Sequence, residues 1–275
     1  MNLSTPVPAR GFALSAVSLF AVFGSLACGV VYPEVQTPLR TPPPGFPLAP
    51  PPPDDLLYLR FEGADVPPRT VDGRAWDEGG GAPDPFAKLL VNGKEIIVTP
   101  VDSDTLRPKW ADQVRANYRI ARGSAVHVEV WDKNAIKSRP ICKEDIDDLH
   151  AQVNTEHPLE IDCESGARVR LVVEPAHGRL GMGLYYELHT EAAYVTRVLA
   201  ESPARRAGLV AGDEIQRVQG QDVRTMEEGK LQSLVNANAS MGVEMTVKRG
   251  EAPPRTIKLK DGAIYPVIGE PVGVE

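Results

Sequence analysis

Five histidines and the serines of the chain are the residues that could act as catalytic bases and nucleophiles. The histidines are His127, His150, His157, His177 and His189. None lies in an HExxH pattern, which would place two zinc-binding imidazoles and a carboxylate on one helix. Beyond the N-terminal segment, no serine lies in a Gly-x-Ser-x-Gly, Gly-Asp-Ser-Gly or Ser-x-x-Lys pattern, the arrangements that activate a serine nucleophile. The sequence therefore predicts a non-catalytic protein.

Three cysteines offer thiol chemistry of another kind. Cys142 and Cys163 are 21 positions apart, and a disulfide closing that loop would stabilise an exported protein by about 3 kcal/mol. If they pair, Cys28 is left over and needs its own explanation. Metal binding by the pair is less favoured, because no histidine stands at zinc-ligand spacing.

The N-terminal segment is typical of an export signal. Residues 11–27 carry no charge, a run long for a signal core and slightly short for a membrane span. The run ends at Ser25-Leu26-Ala27-Cys28, which resembles a bacterial lipoprotein signal. That resemblance implies a signal peptide over 1–27, acylation of Cys28 and anchoring in the cell envelope, at the outer membrane. An ordinary secretory cleavage site and an uncleaved anchor are the alternatives.

Composition and charge limit the partners and the size of the folded part. The 275 residues allow about two domains, and a net charge of −7 disfavours nucleic acid. Between Pro33 and Pro53, ten of 21 residues are proline, a composition that favours extended polyproline II over sheet or helix. We therefore expect residues 28–53 to be a lipid-anchored stalk, with a ligand for a proline-recognition module as the alternative.

Residues 54–175 read as an antiparallel β-sandwich. Short apolar runs alternate with period two between turns rich in Gly, Pro and Asp. Three segments resemble parts of C2 domains. Asp84–Leu89 resembles the strand that opens with Asp-Pro-Tyr in that family, and Thr105–Trp110 resembles a corner that an indole closes. Val128–Asn134 resembles a strand that is followed by an acidic loop. The resemblance implies a C2-like sandwich.

Many C2 domains bind calcium at loops of one end, and some then dock on anionic lipid. Position by position, Asp84 and Asp132 match two calcium ligands of that family, and Asn134 stands where another aspartate is expected. Asp77 or Glu78 could supply a first-loop carboxylate. Since calcium takes six to eight oxygens, this set predicts a weak site, and a C2 fold without its metal is the favoured interpretation. No cofactor is required on this view.

Residues 176–268 show strand, strand, short helix, strand, longer helix and two closing strands. Ser202–Ile215 reads Ser-Pro-Ala-x-x-Ala-Gly-Leu-x-x-Gly-Asp-x-Ile, and Gly181–Leu184 reads Gly-Met-Gly-Leu. Both resemble PDZ domains, with the character of those in tail-specific and high-temperature-requirement proteases. The expected fold is thus mainly β with two domains, the second having five or six strands and two helices. Residues 269–275 are left as a tail.

The PDZ resemblance implies a groove that binds a peptide carboxylate through backbone amides and adds the peptide as a strand. The residues it assigns to this groove are Leu180, Gly181, Met182, Gly183, Leu184, Tyr185, Leu231 and Leu234. Its pocket would prefer an apolar C-terminal residue. The alternative is that these positions only pack the core.

The predicted function is recognition of protein C-termini or extended peptides, with the C2-like domain as a second contact or a spacer. Two other functions stay open from the sequence. One is calcium-dependent membrane binding through the C2 loops, and the other is presentation of substrates to a separate protease.

Overall fold

The computed structural model describes residues 40–77, 80–110, 116–134 and 137–267. The predicted signal peptide, Cys28 and the tail 269–275 lie outside these residues and stay predictions. Within the described part of the chain, no helix is long and apolar enough to cross a membrane.

The first folded unit is a sandwich of two four-stranded sheets. Its strands are β1 (Leu56–Asp65), β2 (Pro85–Val91), β3 (Lys94–Val98), β4 (Ala116–Arg119), β5 (Val126–Asp132), β6 (Arg139–Ile146), β7 (Leu159–Asp162) and β8 (Arg168–Pro175). One sheet has the order β4-β1-β8-β7 and the other β3-β2-β5-β6, with antiparallel pairing throughout. The predicted antiparallel sandwich is confirmed.

Alternation along the strands explains how the sandwich closes. In β5, Val126, Val128 and Val130 are buried while the residues between them are half-exposed, so one face of the sheet enters the core. Trp110, 1% exposed, packs edge-on against Phe61 at a centroid distance of 6.1 Å. This indole closes one end of the core, as expected from the Thr105–Trp110 segment.

The second unit carries its own core. Its strands are β9 (Arg179–Gly181), β10 (Leu184–Leu188), β11 (Ala193–Val198), β12 (Glu214–Val218), β13 (Gln221–Asp222), β14 (Val243–Lys248), β15 (Arg255–Leu259) and β16 (Gly262–Ile264), with helices α1 (Pro203–Arg206) and α2 (Glu228–Asn238). The main path is β10-β11-β12-β14-β15, while β9 pairs with β16 apart from it. The two helices match the prediction, and the short β9, β13 and β16 bring the number of strands above six.

The short helix α1 forms where its sequence predicts it. The Ser202 side chain accepts a hydrogen bond from the amide of Arg205, which satisfies a donor that the first helical turn leaves open. Pro203 stands at the first helical position, where its missing amide costs nothing. The bond from the Ala204 amide to the Met182 carbonyl then attaches α1 to the loop before β10.

The two units meet at the three-residue connection between β8 and β9. Asn117, 4% exposed, accepts from the backbone amide of His177 at 2.7 Å and donates to its carbonyl at 2.9 Å. It also donates to the carbonyl of Pro266 at 2.8 Å. The His177 ring stacks on Tyr58 with centroids 3.6 Å apart. The Asn117 amide and the stacked rings therefore fasten this connection to the sandwich.

Candidate functional site

The strand β10, which ends the described sheet path, is the part of the second unit that could take an extended peptide. β10 stands at the end of the main sheet path and pairs with β11 on one side, and no described strand pairs with its other side. The end of a sheet is where an extended peptide can add as a further strand. Leu231 and Val235 of α2 enter the same core as Leu184 and Tyr186 of β10.

The loop Gly181–Leu184 leads into this edge. Its carbonyls are used inside the domain, since Met182 accepts from Ala204 and Gly183 from Leu199, both at 2.9 Å. Among the described residues, no backbone carbonyl accepts from the amides of Met182 and Gly183. Backbone amides that can donate, placed beside the strand to which a peptide adds, are the chemistry that a peptide carboxylate requires.

Gly183 is constrained by packing. Its φ is +70°, and a Cβ built there would lie 2.3 Å from the Cβ of Ser202. Every other residue type would have to displace the cap of α1. A glycine in a carboxylate-binding loop also allows a ligand to approach the backbone closely. The structure adds that the glycine lets the loop fit against α1.

The residues predicted to form the groove do not share one environment. Met182, Leu184 and Leu231 are 1%, 0% and 1% exposed, so their side chains are core. Leu234 is only partly buried and lies against that core, which makes it the groove candidate on α2 that solvent can reach. Leu180 lies on β9, where it pairs with Ala263 of β16.

Tyr185 lies opposite Arg197 in the β10–β11 pairing, with the guanidinium carbon 5.1 Å from the ring centroid. Burial raises the pKa of the Tyr185 phenol, and the nearby guanidinium opposes that shift. The predicted groove set did not include Arg197, because the PDZ motif contains no signal for it. Tyr185 and Arg197 belong to the face of the sheet away from the core that Leu184 and Tyr186 enter.

The acidic residues predicted at the C2-like loops lie at one end of the sandwich. Because Pro85 pairs with Asp132 across β2 and β5, Asp84 and Asp132 are neighbours. Asp132 is fully buried, and its two carboxylate oxygens accept from the Asp84 amide at 2.9 Å and from the Asn134 side chain at 2.8 Å. The Asp84 carboxylate accepts from the Asp104 amide at 2.7 Å.

Asp77 joins this end of the sandwich. Burial raises the pKa of its carboxyl, and the negative charges of Asp132, Asp84 and Asp104 raise it further. Asp104 is a member that sequence reasoning missed, since it lies 20 positions from Asp84 outside any matched motif. Glu78 lies outside the described residues.

The described residues of these loops do not present the converging oxygens that a calcium ion needs. Calcium needs several oxygens converging at 2.3–2.6 Å from one point. Among the described residues, no three carboxylates bring oxygens within 4.8 Å of one another. The bonds that Asp84 makes with Asp132 and Asp104 join the loops at this end of the sandwich, and the bond from Asn134 to Asp132 lies within one loop. No step of any function is assigned to calcium on this geometry.

The predicted disulfide is present. Cys142 of β6 and Cys163, just after β7, are bonded with Sγ atoms 2.02 Å apart. β6 and β7 belong to different sheets, so the bond joins the two layers of the sandwich. Glu144 lies close to both sulfurs, but bonded cysteines hold no thiolate for a metal.

Comparisons with known proteins agree with this architecture. The C2 domain family model matches residues 61–156, and the PDZ domain family model matches residues 169–248. The PDZ match begins within β8, a strand that pairs inside the sandwich. No curated protein matches the chain.

Three of the similar solved structures are described as C2 domains or C2 domain proteins. One described as the structure of a C2 domain is 15% identical and covers 43% of this chain and 97% of that chain, with a TM-score of 0.32. A structure of two C2 domains of extended synaptotagmin 2 is 19% identical over 56% of this chain and 50% of that chain, with a TM-score of 0.35. A C2 domain protein from Ramazzottius varieornatus is 15% identical over 42% and 84%, with a TM-score of 0.31. From the two family models and the two folded units, the chain contains a C2 domain followed by a PDZ domain.

Proposed function

We propose that this chain is an exported, non-catalytic recognition protein, lipid-anchored in the bacterial cell envelope through Cys28, whose PDZ domain binds a protein C-terminus or an extended peptide. One observation carries the binding role. β10 is the last strand of the described sheet path, and it directly follows the amides of Met182 and Gly183, which have no backbone acceptor among the described residues. The C2 domain serves as a second interaction module or as a spacer.

The binding step needs only backbone chemistry and one side-chain pocket. The peptide adds to β10 as a strand, and its terminal carboxylate accepts from the loop amides. Because Leu184 and Leu231 are core, we assign contact with the last peptide side chain to the partly buried Leu234. An apolar C-terminal residue would gain about 1.5–3 kcal/mol from full burial there.

The test is isothermal titration of the full chain in detergent with a library of C-terminal peptides, each also made with an amidated C-terminus. Saturable binding to peptides that end in an apolar residue, lost on amidation, is the expected result. Binding that survives amidation would leave strand addition but contradict the carboxylate step. No binding to any peptide would overturn the proposal.

A matched pair of variants locates the groove. Leu234→Lys places a charge at the partly buried position of α2, and Asn236→Lys places the same charge at an exposed position of the same helix. We expect the first to weaken binding at least tenfold, about 1.4 kcal/mol, and the second to leave it within twofold. Equal effects would mean that the peptide is not bound beside α2.

The titrations also separate the other functions. A heat signal with millimolar calcium, absent with magnesium, together with no peptide binding would favour the calcium-dependent membrane protein. Stoichiometric co-purification of a protease that requires an intact PDZ edge would favour substrate presentation. Both outcomes contradict stand-alone peptide recognition.

A further inference from the structure

Residues 40–50, here called the strap, lie against the PDZ domain. The amide of Arg40 donates to the carbonyl of Leu180 at 2.7 Å, and the amide of Leu180 donates back at 2.8 Å. β9 therefore has β16 on one side and the strap on the other. The sequence predicted a proline-rich stalk here, and this described part of it makes strand-like bonds to the folded body.

Two polar side-chain contacts hold the first residues of the strap. The Arg40 guanidinium pairs with the carboxylate of Asp261, whose side chain is only 8% exposed. The Arg179 guanidinium of β9 donates to the Thr41 hydroxyl. An ion pair with one shielded carboxylate is worth more than a surface pair, because its loss leaves that charge without a partner.

The other end of the strap covers the connection between the domains. A Cβ built on Gly178 would lie 2.2 Å from Cδ1 of Leu48 and 2.9 Å from Cε1 of Tyr265. Leu48 thus occupies the space that the missing side chain of Gly178 leaves open. The Tyr265 hydroxyl donates to the Pro50 carbonyl at 3.1 Å.

These contacts surround the only covalent link between β8 and β9. Gly178 follows His177, the residue whose backbone is bonded to Asn117 of the C2 domain. Tyr265 precedes Pro266, whose carbonyl accepts from the same asparagine. The strap therefore contacts both chain segments of the PDZ side that are hydrogen-bonded to Asn117 of the C2 domain.

We propose that residues 40–50 are a clamp that fixes the PDZ domain on the C2 domain, and that detaching the strap frees the connection at His177–Gly178. Because the strap is held by two backbone bonds, one ion pair, two side-chain hydrogen bonds and the Leu48 contact, and enters neither hydrophobic core, it can open while both domain cores stay folded. This inference does not depend on peptide binding.

Hydrogen exchange of the full chain in detergent tests the clamp. The double variant Arg40→Glu, Leu48→Asp removes the ion pair and the apolar contact without changing either domain. We expect the amides of His177 and Leu180 to exchange about tenfold faster or more, with β12 and β14 unchanged. The control Phe46→Asp changes a strap residue that is 51% exposed and should leave all rates unchanged.

Two outcomes would overturn the clamp. In the first, the His177 amide exchanges at its original rate although the amide of Arg40 has lost protection. The strap would then detach without loosening the connection at His177–Gly178. In the second, β12 and β14 also exchange fast, which makes the strap part of the PDZ fold. Leu48→Ala provides a milder check, and it should accelerate His177 less than the double variant does.

Discussion

Gly183 and Ser202 occupy adjoining space so closely that a Cβ on the glycine would lie 2.3 Å from the Cβ of the serine and 2.6 Å from its hydroxyl oxygen. The serine is fully buried and caps α1, and the glycine belongs to the loop that enters β10. The loop that carries the Met182 and Gly183 amides therefore packs against the start of α1. The geometry of this loop therefore depends on the contact between Gly183 and Ser202 inside the protein, whether or not a ligand is bound.

Replacing Gly183 with alanine should therefore destabilise the protein before it affects any ligand. We expect a loss of about 2–4 kcal/mol in the free energy of unfolding, from the positive φ and the overlap with Ser202 together. Chemical denaturation gives this value. The control is Gly220→Ala, where φ is +74° but nothing lies within 4 Å, so only about 1–2 kcal/mol should be lost.

A second substitution separates the overlap from the backbone strain. Ser202→Gly removes the atoms that a new Cβ would meet and costs the helix cap only a few tenths of a kcal/mol. The double variant Gly183→Ala, Ser202→Gly should recover part of the lost stability. If the two losses simply add, the contact with Ser202 is not the cause.

Asn117→Ala should cost about 2–3 kcal/mol in the free energy of unfolding. The variant removes the partners of the His177 amide and of two carbonyls at a buried site, and unsatisfied buried groups cost about 1–3 kcal/mol. Asn154→Ala is the control. The side-chain oxygen of Asn154 accepts from the backbone amides of Glu156 and His157 in an exposed loop, so this variant should change the free energy of unfolding by less than about 0.5 kcal/mol. Equal losses would show that the hydrogen bonds of Asn117 between the domains contribute no more to the free energy of unfolding than those of an exposed loop.

The disulfide should contribute about 3 kcal/mol to the C2 domain, on the loop-entropy argument for a 21-residue separation. Reduction, or the double variant Cys142→Ala, Cys163→Ala, should lower the denaturation midpoint of the C2 domain. Hydrogen exchange in β6 and β7 should rise while exchange in β12 and β14 stays unchanged, because the bond joins only the sandwich sheets. A uniform rise over both domains would mean that they unfold as one unit.

Sequence patterns predicted what is local and missed what depends on packing between distant segments. Three features were predictable because each has a signal in the sequence. Alternation of apolar residues predicts the strand Val128–Asp132, capping chemistry predicts the cap at Ser202, and the number of cysteines predicts the Cys142–Cys163 bond. Asp104 could not be placed with Asp84, since only the folded loops bring the amide of one to the carboxylate of the other. Proline content predicts a spacer because it indicates only the backbone conformation, whereas Leu48 and Arg40 have partners more than 100 residues away in the chain.

The carboxyl of Asp77 should make stability depend on pH in an unusual direction. Its pKa is raised above 3.8 by burial and by the charges of Asp132, Asp84 and Asp104, so the folded protein holds this proton more tightly than the unfolded chain does. The resulting stabilisation is fully present below pH 3.8 and is lost as the pH rises through the folded pKa. Asp77→Asn should therefore raise the thermal midpoint at pH 7, and this gain should vanish near pH 3.

Asp72, in the same loop, provides a control of opposite sign. A hydrogen bond from the Thr70 hydroxyl lowers the pKa of the Asp72 carboxyl, and the charge of Arg74 adds to this. Its contribution is present above pH 3.8 and is lost as the pH falls through its folded pKa. Asp72→Asn should thus lower the midpoint slightly at pH 7. Thermal unfolding of both variants from pH 3 to pH 7 checks the pair, and a destabilised Asp77→Asn at pH 7 would show that the aspartate cluster attracts a cation instead of repelling itself.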